Sequence, residues 1–126
     1  MARSFFLILV SFALWAQPPQ TPLPPEEDEV AKEKTTEYTL NPLQAEKEIK
    51  IGNFYFKKGT ASGYRAAALR FTEASRWDPN SHEAFLRLAE TQEKLKNATA
   101  AKAAWAKYLE LVPDAKNAAA IRKKLK

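Results

Sequence analysis

The chain has 126 residues, enough for one small domain with extensions, and carries a formal net charge of +5 with no cysteine and a single histidine. The missing cysteine excludes disulfides, thiolate metal sites, a cysteine nucleophile and lipid attachment at an N-terminal cysteine; the lone His82 excludes a metal site built on histidine spacing. The charge is divided: residues 17–42 hold six acids and two bases, a net of −4, while residues 43–126 hold seventeen bases and nine acids, a net of +8, with Arg3 supplying the remainder. An acidic tail beside a basic domain either folds back on it or keeps the chain soluble, and solubility is the favoured reading.

In chain order, residues 1–16 read as a signal peptide. Arg3 is a short basic start, and an apolar run from Phe5 to Ala16 is interrupted only by Ser11. That run is shorter than the roughly 20 residues a membrane-spanning helix needs. Leu14 and Ala16 stand at −3 and −1 before Gln17, so export with cleavage before Gln17 is expected; an uncleaved anchor is the alternative. Residues 17–42 contain five prolines between 18 and 25 and an acidic run from Glu26 to Glu29. Such a segment is expected to stay disordered as a semi-rigid, extended tether.

From residue 43 the pattern becomes helical. Asn41-Pro42-Leu43-Gln44 is a capping sequence with proline at the first helical position, and the first helix is expected to run to about Lys58, ending at Gly59. A second helix is expected from about Tyr64 to Trp77, stopped by Pro79, with "TASG" between Gly59 and Gly63 forming a lengthened loop. Asn80-Ser81-His82-Glu83 opens a third helix to about Lys96. Asn97 or Thr99 starts a fourth, ending at Val112, and Asp114 is expected to cap a fifth over residues 115–126. The basic end of the fifth helix suits the negative end of the helix dipole.

The stretch "GYRAAALRFTEASRWDPN" alternates small residues with large aromatics. It recurs loosely as "TAAKAAWAKYLELVPD", with Pro79 and Pro113 34 residues apart. On these motifs the chain resembles the tetratricopeptide repeat family over residues 43–126. The matching positions of repeat one, about 45–80, are Ile51, Gly52, Tyr55, Ala67, Phe71, Ala74 and Pro79. Those of repeat two, about 81–114, are Phe85, Leu88, Ala89, Ala101, Trp105 and Pro113. Glu48 stands where repeat one has an aromatic, Gln92 where repeat two has a tyrosine, and Tyr108 where alanine is common. The resemblance implies an all-α fold: two helix hairpins and a C-terminal capping helix in a short right-handed α-solenoid, with the small residues where helices touch.

No catalytic arrangement is legible. His82 reads as a solvated capping-turn residue, Glu90 and Glu93 as a solvated helix face, and Asn97-Ala98-Thr99, although a glycosylation sequon, as a helix cap. There is no phosphate-binding glycine loop. Lys57, Lys58, Arg65, Arg70, Arg76, Arg122, Lys123, Lys124 and Lys126 form a basic set. The export signal argues against nucleic acid as their partner and favours anionic lipid or envelope polymer, with ordinary helix surfaces as the simpler reading.

What the family resemblance implies is protein–protein interaction, with no enzymatic role and no cofactor. The first helices of the repeats would line a concave groove holding a partner segment. Its positions would be Glu46, Ile49, Lys50, Asn53, Phe56 and Lys57, then Glu83, Leu86, Arg87, Glu90, Glu93 and Lys94. Ile49, Phe56 and Leu86 would form an apolar floor, with Asn53, Lys57, Arg87 and Lys94 around it. Asn53 matches a carboxylate-gripping position of some members, but Ile49 stands where the lysine of that clamp would be. With the export signal, the chain is also similar to envelope members such as the lipoprotein of the outer-membrane β-barrel assembly machine, although it has no lipid-accepting cysteine and about two repeats. The expectation is a periplasmic adaptor or scaffold, with a role in outer-membrane protein assembly as one setting. The alternative is a structural envelope protein binding anionic lipid or polymer through its basic surface.

Overall fold

The computed structural model describes residues 37–126; the signal-peptide reading of residues 1–16 and most of the proposed tether lie outside the described residues. The described chain is all-helical, with five helices: α1 (Pro42–Phe56), α2 (Ala61–Trp77), α3 (His82–Lys94), α4 (Ala98–Leu111) and α5 (Ala118–Leu125). Each helix packs on the next in chain order, and α1 also touches α3. The α1–α2 pair is antiparallel, because partners move down α2 as they move up α1: Glu48 meets Arg70, and Tyr55 approaches Gly63. Among the described residues no helix is long and apolar enough to cross a membrane.

Side chains with local reasons to do so set most of the boundaries. Asn41, Thr60, Ser81 and Asn97 each accept a hydrogen bond from the backbone N–H three residues on, which satisfies an amide left open in the first turn. Pro42 follows the first of these caps at no cost, since its missing N–H would be unpaired there. Asp78 closes α2 and its carboxylate accepts from the Asn80 amide at 3.0 Å, shaping the turn around Pro79. Gly59, at φ +67°, takes the left-handed conformation that releases α1 into the turn.

Three boundaries differ from expectation. The "TASG" residues do not lengthen the loop: Thr60 caps α2, Ala61 begins it, and Gly63 is buried inside the helix. Thr60 is a better cap than a loop residue, so the extra residues add about one turn to α2. The fifth helix starts at Ala118 rather than 115, and Asp114 does not cap it; its N-cap is Asn117, which makes no side-chain capping bond. The expected tether also ends earlier than residue 42. Tyr38 packs edge-on against Trp77 at 5.0 Å, its hydroxyl donates to Glu73 at 2.5 Å, and the Asn41 amide donates to the Trp77 carbonyl at 2.8 Å. Residues 38–41 thus belong to the folded unit, and Trp77 is covered from the tether side.

There are two cores. The first joins α1, α2 and the start of α3 through Ala45, Ile49, Tyr55, Ala67, Phe71, Ala74 and Ala84. Phe71 is fully buried, and its ring lies over Gly52 so closely that a Cβ there would be 2.6 Å from the ring. The alanines serve the same end, since small side chains let helix backbones approach. The second core joins α3, α4 and α5 through Ala89, Ala101, Ala104, Trp105, Tyr108 and Ile121. Tyr108, where alanine is common in the repeat, is buried edge-on to Trp105. Phe85 packs half-buried on the second core and Leu88 on both, joining the two.

Glu48, where the repeat pattern has an aromatic, is buried and paired with buried Arg70 at 2.9 Å; Gln44 donates to its other oxygen at 2.8 Å. Arg70 therefore leaves the basic surface set. A charged pair replaces the aromatic between α1 and α2, and the Arg70 Nε has no partner.

Candidate functional site

The face shared by α1 and α3 carries three shallow depressions that follow one another along both helices. The first, about 260 Å³, lies where Ala45, Glu46 and Ile49 face Asp78 to Glu83. The second, about 190 Å³, is lined by Glu46, Ile49, Lys50, Asn53 and Glu83. The third and largest, about 580 Å³, is lined by Phe56, Arg87, Glu90, Glu93, Lys94 and Lys96. Together they form a trench whose lining mixes carboxylates and cations with apolar surface. The sequence places most of these side chains there by helical spacing alone: Glu46, Ile49, Lys50 and Asn53 share one side of α1, as Glu83, Arg87, Glu90 and Lys94 share one side of α3.

Several expected groove residues have other duties. Ile49 is only 5% exposed and belongs to the first core, so the trench meets its edge and not an open apolar floor. Leu86 packs half-buried on the second core and lines none of the three depressions. Lys57 is exposed at the end of α1 and also lies outside them. Arg87 is not a free cation. Its Nε donates to Asn53 Oδ1 at 2.9 Å, it pairs with Glu90 at 2.7 Å, and its guanidinium sits 4.5 Å from the Phe56 ring centroid and 5.6 Å from that of Phe71. Planar Arg87 is thus a tie across the trench from α3 to α1. It occupies the oxygen of Asn53 and half-covers Phe56. Lys50, Lys94 and Lys96 are exposed and line the trench, and they remain accessible as cations there.

Glu90 and Glu93 do not act together. Glu90 holds Arg87, while Glu93 accepts from the Trp105 indole N–H at 2.9 Å and from Lys124 at 2.7 Å. Burial pushes the Glu93 carboxyl up, but the hydrogen bonds from Lys124 and Trp105 and the charges of Lys124 and Lys94 outweigh it, and the net shift is downward. Glu93, read as part of a solvated face, instead ties α3 to α4 and α5. Its clue in sequence is placement: acid, indole and lysine only meet once the fifth helix folds back, which spacing within one helix does not reveal.

Other members of the basic set are engaged. Arg76 bonds Glu73 and the Tyr38 hydroxyl, and Arg122 donates to the Pro113 carbonyl. The Tyr38 hydroxyl is held protonated to higher pH by burial and by its bond to Glu73, against the opposing Arg76. His82 is exposed at the first position of α3, near Tyr108, and Asn97 caps α4. Among the described residues no group of three or more His, Asp or Glu side chains is placed to hold a metal ion. No protein-family model matches the chain, and no curated protein matches it in sequence.

Proposed function

We propose that this chain is an exported protein-interaction module of the tetratricopeptide type, an envelope adaptor or scaffold that holds a partner's segment along the α1–α3 trench. The observation that carries the reading is the trench itself: three depressions in register along the first helices of two successive helix hairpins, with Lys50 and Lys94 accessible beside Glu46, Glu83 and Glu90. An extended segment of mixed polarity with acidic side chains suits that lining. The rigid Arg87 tie supports it further, because a pre-ordered trench spends less binding energy on ordering itself. Export and the periplasm rest on residues 1–16, and outer-membrane protein assembly rests on the family resemblance alone. No catalytic role or cofactor is proposed.

The basic-surface alternative has less support, since Arg70 is buried and Arg76, Arg122 and Lys124 are engaged within the fold. The test is a crosslinking pull-down from cell envelopes with the chain and with a Lys50→Glu, Lys94→Glu variant of matched helicity and melting temperature. Arg87 is left intact because its loss would disturb the trench itself. A partner captured by the first and lost by the second supports the trench. Equal capture sinks it, and capture that disappears for both on raising salt points to the basic surface.

A further inference from the structure

A fourth depression, of about 320 Å³, lies outside the trench where the α3–α4 turn meets the end of α5. Its floor is apolar, formed by Ala98, Ala101 and Trp105, and its rim carries Lys96, Lys102, Glu93 and Lys124, whose ammonium lies 5.0 Å from the Trp105 ring centroid. Glu93 and Lys124 neutralise one another across the rim at 2.7 Å. Among the described residues Lys96 and Lys102 have no ion-pair partner, which leaves two cations beside an apolar floor. Ligand sites run from roughly 300 to 1,000 Å³. This one is at the small end, a size for one or two side chains.

Lys96 is unusual in its backbone as well. At φ +61° it is the one non-glycine residue in the left-handed region among the described residues. It closes α3 by the geometry in which its own amide bonds the Glu93 carbonyl and the Asn97 amide bonds that of Gln92. Glycine is the favoured residue at that position because a Cβ is strained there. Lysine's side chain compensates nothing within the described fold, yet it borders both this depression and the largest one of the trench.

We infer that the Trp105 depression is a second binding site, taking a protein segment that presents a large apolar side chain next to a carboxylate, with Lys96 and Lys102 receiving the charge. It shares Lys96 and Glu93 with the end of the trench but has its own floor: the apolar side chain displaces water from Ala98, Ala101 and Trp105, and the carboxylate supplies the counter-charge that the rim lacks. Because Lys96 stands at the junction, a partner running along the trench past Lys94 would reach this depression without a break.

The test uses the full chain labelled with nitrogen-15, read at the Trp105 indole N–H, with Trp77 as an internal control. The probes are three peptides: acetyl-Gly-Ser-Phe-Glu-Glu-Gly, the same with glutamines for the glutamates, and the same with alanine for the phenylalanine. The first is expected to give a saturable Trp105 shift. The glutamine peptide should bind about fivefold more weakly, as one or two lost surface charge contacts imply. The alanine peptide should bind at least about tenfold more weakly, as the lost apolar burial implies. Lys96→Gly with Lys102→Gln should bring the acidic peptide down to the level of the glutamine peptide while melting no lower than the parent. Ala98→Phe, at an exposed position, should fill the depression and abolish the shift.

The inference is overturned if the three peptides bind alike, or if the lysine variant binds as the parent does. A variant that loses melting temperature would equally overturn it, by assigning Lys96 a folding role. A Trp105 shift that grows with protein concentration alone would give the depression to a second copy of this chain. Lys50→Glu should leave peptide binding here unchanged, so failure of the trench reading and failure of this one are told apart.

Discussion

Replacing Glu48 with leucine removes one charge of a pair sealed between α1 and α2. The Glu48 side chain is 7% exposed and that of Arg70 5%, and they meet at 2.9 Å. Arg70 already has an Nε without a partner, so no second acceptor stands ready when the carboxylate goes. An uncompensated buried charge of this kind costs about 3–5 kcal/mol. A domain of this size holds roughly 5–15 kcal/mol in total, and each kcal/mol moves its melting point by about 4–8 °C. Glu48→Leu should therefore melt at least about 12 °C lower, followed by circular dichroism at 222 nm. Glu48→Leu with Arg70→Met removes both charges and fills the space with apolar atoms. It should recover to within about 1 kcal/mol of the parent, or exceed it. The reasoning fails if the single variant melts within about 2 °C of the parent, or if the double variant is no better than the single.

Other outcomes follow from the packing. Gly52→Ala places a Cβ 2.6 Å from the fully buried Phe71 ring; overpacking costs about 1–3 kcal/mol against about 1 kcal/mol gained in helix propensity, so urea denaturation should show a net loss of up to about 2 kcal/mol. Deleting residues 114–126 strips buried Ile121 from the second core, with Ala115 and Leu125 that pack on it. Burial of an isoleucine alone is worth about 1.5–3 kcal/mol, so melting should fall by about 10 °C or more. The Glu93 carboxyl, with its lowered pKa, adds stability at neutral pH that disappears as pH falls through that pKa. Glu93→Gln should thus melt below the parent at pH 7, and the gap should close on acidification toward pH 3; a gap that persists at low pH would contradict the assignment. The effect is small because the side chain is 38% exposed.

The fold was legible because its signals are local and repeated. Caps at Asn41, Ser81 and Asn97, the stops at Pro79 and Pro113, and the alternation of alanine with Phe71 or Trp105 all act within a few residues. Gly59 and Gly63 read as the two ends of a loop, whereas Thr60 caps α2 and Gly63 packs close to the Tyr55 carbonyl inside the helix. The site was less legible because helical spacing places a side chain on a face without saying what it meets there. Arg87 and Asn53 are 34 residues apart and share the trench face, yet they bond to each other. Glu48 departed from the repeat pattern in sequence, and its partner Arg70 lies one helix away among residues that look like surface. The Trp105 depression needs the return of α5, which no periodicity within α4 announces.

If the α1–α3 trench holds a partner segment, as proposed, crosslinks should follow its lining. A photo-crosslinking residue placed in turn at Lys50, Lys94, Leu69 and Ala106 tests it most directly, since all four are exposed and only the first two line the trench. Lys50 and Lys94 should each give one adduct of the same constant mass, with nothing above background from Leu69 on α2 or Ala106 on α4. Adducts from Leu69 or Ala106 that equal or exceed those from the trench would contradict it.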